Sequence, residues 1–359
     1  MVSVADFLPA ASNADALQAA INSGAASVVV PAGMTITNIP PLTPPATLRE
    51  LVVASGAKLT RTSDSSYAHV LHIKTRVANS PRLRIVLAGD ITGAVATGVT
   101  GVNIVHGAGI YIGDDDGTIL TGQVHPANDA MGAIDIVGEG GIISQIADHA
   151  ISATFCSGTI QGIVVQNCGG GIKVSNVADM IVQNNDIGPT IAVERVGETQ
   201  IATLRVASVL NPTAAQRTKR LTIRDNRISG RLSHPGISIA AGEDIRVIDN
   251  VVDNCIMGIS VAGQSAVGGI ARALVEGNSC TSSTVAAPDT NASDRYANVG
   301  IRVAGSTETT VGENNLVGFG AVPSPALGAA LLLAGGCDNI EIRAQQVTNV
   351  TGHIIVVQG

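Results

Sequence analysis

The sequence predicts an all-β fold: a right-handed, single-stranded parallel β-helix, a solenoid with a short helix capping its N-terminal end. Two recurring phrases and their shared alternation predict it. The first phrase runs small, aliphatic, any, Val or Ile, small. It reads Gly109-Ile110-Tyr111-Ile112-Gly113, Ala133-Ile134-Asp135-Ile136-Val137 and Gly171-Ile172-Lys173-Val174-Ser175. It returns from Gly236, Gly258 and Gly300, with looser copies from Ala150, Ala330 and His353. The second phrase places an Asn between apolar positions, as in residues 182–187, 223–228, 247–252, 275–280 and 311–316; residues 342–347 carry Gln345 in the Asn slot. Both phrases alternate apolar and polar side chains, the period of a strand with one buried face. Several copies of the first start about 21 to 24 residues apart, the spacing of a coil built from two or three short strands. Each coil then buries its apolar face only against its neighbours.

The elements follow in order. Ser12-Asn13-Ala14-Asp15 is a helix start, with a capping hydroxyl and an acid three residues on. Leu17, Ala20 and Ile21 form a short apolar stripe and Gly24 ends it. A helix laid over the first coil shields an open edge. Residues 1–40 are therefore read as the cap and residues 41–359 as the β-helix, with surface insertions of which residues 281–298, rich in Ser, Ala, Asp and Asn, are the most evident. The Asn column (Asn167, Asn185, Asn226, Asn250, Asn278, Asn314) is read as a corner ladder. Asn tolerates left-handed backbone, and its amide can bond to the same group one coil away. Roughly a dozen coils at about 4.8 Å each make a rod near 55–60 Å long.

The opening residues 2–7, the helix segment 15–21 and the strand Val28-Val29-Val30-Pro31-Ala32-Gly33 resemble the start of pectate-lyase-like right-handed β-helix proteins. They are most similar to bacteriophage tailspikes and related virion proteins. The Gly-Asp-Gly-x-x-Asp-Asp element usual before the helix is replaced here by the shorter segment 8–13. The resemblance implies a homotrimer that contacts other virion proteins and binds, and often cleaves, bacterial surface polysaccharide.

Composition narrows the functions. Only three Phe, three Tyr and no Trp occur, which suits a narrow aliphatic core. A net charge of -7 leaves no basic stripe for nucleic acid. The five cysteines lack a CxxC pair and read as small core residues, so neither a zinc site nor a disulfide framework is indicated. The N-terminus lacks the basic start and apolar stretch of a secretion signal. No membrane insertion is expected, and the location implied by the resemblance is the virion.

Candidate chemistry is sparse. The outward column of the first phrase is expected to be Tyr111, Asp135, Ser152, Lys173, Ser238, Ser260, Arg302, Leu332 and Ile355, polar at first and apolar at the end. Its apolar end reads either as a subunit interface or as a coil covered by its own chain. Asp135, Glu139 and Asp148 (beside His149) lie within one coil and are the candidate catalytic acids, because a glycosidase needs two nearby carboxyl groups and a lyase a base beside a cation. Lys173 is expected in the column of Asp135. Tyr111, Lys173 and Arg302 are the candidate substrate-binding residues, an aromatic face and two cations. Asp114, Asp115 and Asp116 form a solvated turn rather than a calcium loop, since His125 stands where a bidentate Glu is needed. His125 and Asp129 share a loop, Tyr67 and Tyr296 occupy others, and His234 with Pro235 reads as a corner. No cofactor or metal is called for. Three readings stand: a virion recognition or structural protein that presents a surface to a glycan or another virion protein, a polysaccharide lyase, hydrolase or epimerase of the same fold, and, third, a bacterial β-helix adhesin or scaffold outside any virion.

Overall fold

The computed structural model describes residues 1–62, 69–74, 81–94, 107–113, 130–188, 202–208, 212–229, 235–264, 268–282, 298–319, 329–351 and 353–357. Among these residues the chain winds through three parallel sheets of 12, 11 and 10 strands. One coil contributes a strand to each: Ala133–Gly138 to the first, Ile142–Ser144 to the second and His149–Thr154 to the third. The next coil begins with Ser157–Gln161, which stacks on Ala133–Gly138 with Ile136 against Ile160. Inward positions repeat Ile, Val and Leu from coil to coil, so like side chains pile into one continuous aliphatic core. The fold is the right-handed parallel β-helix that the phrases predict.

The helix, α1, spans Asn13–Asn22. Ser12 Oγ accepts from the Asp15 backbone N–H at 3.1 Å, and Ala16, Leu17, Ala20 and Ile21 are buried. It packs against strands Ser27–Val30 and Thr35–Thr37 of the first coil. An apolar stripe too short for a stable free helix is held by that tertiary contact.

The corner between the first and second sheets is the best-specified turn. Asn185, Asn226, Asn250, Asn278 and Asn314 are buried one above another. Each side-chain oxygen accepts from the amide below: Asn185 Nδ2 to Asn226 Oδ1 at 2.8 Å, Asn226 to Asn250 at 2.9 Å, Asn250 to Asn278 at 2.9 Å and Asn278 to Asn314 at 3.0 Å. Asn314 continues to Gln345 Oε1 at 3.2 Å. The same amides donate to backbone carbonyls, as Asn250 does to Ile223 at 3.0 Å, and the same oxygens accept backbone N–H groups. Two expectations change here. Asn167 is exposed at the next corner, between the second and third sheets, and Ile163 takes its ladder slot by donating its backbone N–H to Asn185. The left-handed residue is also not the ladder Asn but its predecessor: Asn184, Asp225, Asp249 and Gly277 have φ of 53°, 54°, 55° and 70°. A left-handed step turns the chain, and the following carboxamide then faces inward.

A second column of left-handed residues begins the strands of the first sheet. Asp179, Arg220, Asp244, Arg272 and Glu308 all have φ between 50° and 56°, and successive strands set them in register. Their charges alternate. Arg220 Nε donates to Asp179 at 2.6 Å and Arg272 Nε to Asp244 at 2.6 Å, while Arg272 also reaches Glu243. These guanidinium bonds hold the Asp179 and Asp244 carboxyls below the usual range. Such exposed, solvent-screened pairs fix register more than they stabilise.

Other placements correct the sequence reading. The segment from Ala133 belongs to the first sheet, not the third, because its alternation also fits a strand that opens a coil. Ile355 pairs with Leu331 and so takes an inward slot, while Val356 stacks on Leu332. Leu332 faces outward and is buried against Met257 and Val299, while Ile354, Ile355 and Val357 of the last strand are exposed. Cys156, Cys168, Cys255 and Cys280 are buried, with burial pushing the Cys156 and Cys168 thiols up to about 12; Cys337 is only partly buried.

Replacing Asn250 with Ala leaves several buried backbone groups without partners, each costing about 1–3 kcal/mol. The expected loss is about 3 kcal/mol in denaturant unfolding, with faster amide exchange confined to the flanking coils. Asn167→Gly, at an exposed left-handed position, is expected within about 0.5 kcal/mol of the parent.

Candidate functional site

The third sheet has a local irregularity that decides which side chains face outward. The backbone N–H groups of Gly171 and Ile172 both donate to Thr203 O, at 2.9 and 3.1 Å. Two successive residues on one partner make a bulge, and both turn inward. In the neighbouring strand the equivalent pair, Ala150 and Ile151, lies in the core. A Cβ on Gly171 would stand 2.6 Å from Ile187 Cγ2 and from Thr203 O. Crowding there explains the small residue that opens the first phrase.

The bulge gives the outer face two columns where simple alternation offers one. The residue before the small position returns to the outside. Met257 and Val299 occupy that slot, and they pack with the outward Leu332 in a cluster separate from the main core. His149 occupies it one coil below Gly170. The second outward column stacks His72, Tyr111, Ser152, Lys173, Arg205, Ser238, Ser260 and Arg302 in order. Connections on both flanks of this sheet vary widely in length between coils, whereas those from the first sheet to the second stay short.

At the N-terminal end of the face, three rings meet. His69 stacks on Tyr111 with centroids 4.2 Å apart and planes 9° from parallel. His72 stands edge-on to both at 5.0 Å. His72 Nε2 donates to the Gly113 carbonyl at 2.9 Å, and His69 Nδ1 accepts from the Ala108 N–H at 3.0 Å. One coil on, His149 Nδ1 lies 2.7 Å from Asp148 Oδ1, with His149 1% and Asp148 6% exposed. Burial, the largest influence, lowers the His149 pKa; Asp148 opposes it, and the charges of Lys173 and Arg205 add to the lowering. The imidazole is therefore neutral near pH 7. With Asp148 ionised its proton sits on Nδ1, leaving Nε2 as a buried acceptor without a hydrogen-bond partner.

The catalytic acids expected from sequence do not share a face. Asp135 stands on the first sheet between Arg84 and Thr159, and Arg82 Nη1 donates to both its oxygens at 3.0 Å. Glu139 accepts from Arg84 Nη2 at 3.1 Å, and Arg84 also holds Glu50 at 3.0 Å. Asp148 belongs to the third-sheet face with His149. Lys173 consequently stacks between Ser152 and Arg205 rather than over Asp135, because the strand of Asp135 opens its coil instead of closing it. Tyr111, Lys173 and Arg302 do share one column, although Tyr111 is buried under its stacked partner. Lys173 lies two rungs beyond Tyr111 and four before Arg302, about 19 Å from the latter at rung spacing. Arg205 escaped the sequence reading because its strand, Leu204–Ala207, is preceded by Thr203 instead of a small residue. Asp114, Asp115, Asp116, His125, Asp129, Tyr67, Tyr296 and His234 lie outside the described residues.

A family described as right handed beta helix region matches residues 88–316. No curated protein is a significant match to the sequence. Among solved structures, a Yersinia enterocolitica family 28 exopolygalacturonase superposes with a TM-score of 0.55 at 14% identity, over 97% of this chain and 78% of that one. The enzymatically active domain of bacteriophage CBA120 tailspike protein 2 gives 0.56 at 14% identity, over 96% and 46%. The Dettilon tailspike protein gives 0.53 at 14% identity, over 97% and 63%. The chain thus spans less than two thirds of either tailspike, and the likeness is one of fold. No helix among the described residues is long and apolar enough to cross a membrane.

Because His149 is neutral when folded and titrates ordinarily when unfolded, protons favour the unfolded chain. Its contribution to stability is complete above about pH 6.5 and is lost as the pH falls below that toward the lower folded value. The denaturation midpoint is expected to drop between about pH 7.5 and 5.5, and His149→Gln should remove the part of that drop due to this group.

Proposed function

The chain belongs to the right-handed β-helix family, and on that footing we propose that it recognises an acidic glycan along the outer face of its third sheet. The observation that carries this reading is the convergence on one face of a ring cluster, a buried acid–histidine pair and two adjacent cations, Lys173 and Arg205. The rings, buried beneath the surface, brace this face, and the stacked cations offer a track for the carboxylates or sulfates of a glycan. Rung spacing helps: a column of outward side chains about 4.8 Å apart matches an extended saccharide about one residue per rung.

The biological setting is proposed from likeness. The opening residues resemble those of phage tailspikes, and two of the superposed structures are tailspike proteins. We therefore place the chain among virion recognition proteins of tailspike type, acting as a homotrimer and seated against other virion proteins. The exposed face of the first sheet, with its paired charges, suits solvent better than a ligand.

Binding to acidic and neutral oligosaccharides, followed by calorimetry, tests the recognition. Acidic chains should bind, with affinity falling as salt rises. Lys173→Ala and Arg205→Ala should each weaken binding about tenfold, or roughly 1.4 kcal/mol. Equal binding of neutral chains, or variants that bind like the parent, would remove this reading. Native mass spectrometry should find three chains; a strict monomer would overturn the trimer.

A further inference from the structure

The Asp148–His149 pair goes beyond what binding requires. A buried imidazole whose Nδ1 is tied to a carboxylate at 2.7 Å has one tautomer, and its Nε2 lone pair has no partner. It lies just under the outer face beside Ser152, both nearly wholly buried, and within the electrostatic reach of Lys173 and Arg205. An acceptor left bare in a buried site costs stability unless something donates to it. Resting on the recognition reading, we infer that this face hydrolyses an ester carried by its bound glycan, with His149 as general base, Asp148 as its positioning residue and Lys173 with Arg205 as the anion-stabilising pair.

The step needs no further reactant than water. His149 Nε2 takes a proton as the water oxygen bonds to the acyl carbon, and the carbonyl electron pair moves onto oxygen beside the two cations. As the carbonyl re-forms, the bond from carbon to the sugar oxygen breaks. The sugar oxygen takes the proton back from His149, and the acyl group leaves as an acid that ionises to solvent. Two other reactions fit less well. Glycoside hydrolysis uses two carboxyl groups flanking the bond, and among the described residues this face offers Asp148, while Asp135 and Glu139 stand on the first sheet in arginine pairs. Elimination from a uronate needs a base strong enough to remove a carbon-bound proton, and burial makes His149 weaker than an ordinary histidine.

Acetate release from an O-acetylated acidic polysaccharide and hydrolysis of 4-nitrophenyl acetate test this, with binding of the same polysaccharide measured in parallel. Release should occur with the parent chain and fall about a hundredfold in His149→Gln and Asp148→Asn, far more than any loss of polysaccharide binding. In His149→Gly, free imidazole should restore part of the 4-nitrophenyl acetate activity, a response that a purely structural histidine would not give. Binding without release, or release unaffected by these variants, overturns the esterase inference and leaves recognition standing. An unsaturated product in place of acetate overturns it in favour of elimination. No binding to any acidic polysaccharide overturns the recognition reading, whereas 4-nitrophenyl acetate still judges the dyad by itself.

Discussion

A solenoid has no distant contacts to correct a misplaced turn, so each coil depends on the corner that starts its second strand. The buried carboxamide ladder governs that corner. Asn185, Asn226, Asn250, Asn278 and Asn314 each satisfy a donor below and an acceptor above, and each also satisfies backbone groups that the turn would leave orphaned. A carboxamide is suited to this because it donates and accepts in one plane. With the corner held, the inward Ile and Val columns fall into register and the apolar core follows. Burial supplies most of the free energy, while the ladder selects which stacking it stabilises.

That constraint also explains where variation is allowed. Corners from the first sheet to the second stay short because the ladder tolerates no insertion. The other two corners vary in length, and both flank the third sheet. The chain thereby keeps one rigid edge and surrounds a single face with variable segments. The bulge at the small residue widens that face to two outward columns, which is how His149 comes to lie beside Ser152 and Lys173.

Much of this was legible in the residues. Alternation and repeat spacing reveal the strands, the Asn slot reveals the ladder, and Ser12 with Asp15 reveals the capped helix. What escaped did so for physical reasons. A period of two does not say which sheet a strand joins, so the alternation alone puts the segment from Ala133 in the column of Lys173. A regular alternation also hides a bulge, so His149 was not paired with the outward column. The left-handed conformation falls on the residue before four of the ladder Asn, and although Asn184, Asp225, Asp249 and Gly277 are types that tolerate it, the Asn column one position on is equally tolerant and masks the signal. Of the residues named for binding, Tyr111, Lys173 and Arg302 do fall in one column. The acids named with them divide between two faces, because consecutive strands of a coil point in different directions.

The alternating left-handed charges at the start of the first sheet bear on how such a chain can grow. Asp179, Arg220, Asp244, Arg272 and Glu308 alternate in sign rung by rung. Duplicating one coil would set two acids or two arginines face to face, whereas duplicating a pair of coils would preserve the order. Lengthening in this stretch is thus easiest in even steps, a parity rule written on the surface of the rod and not in its interior.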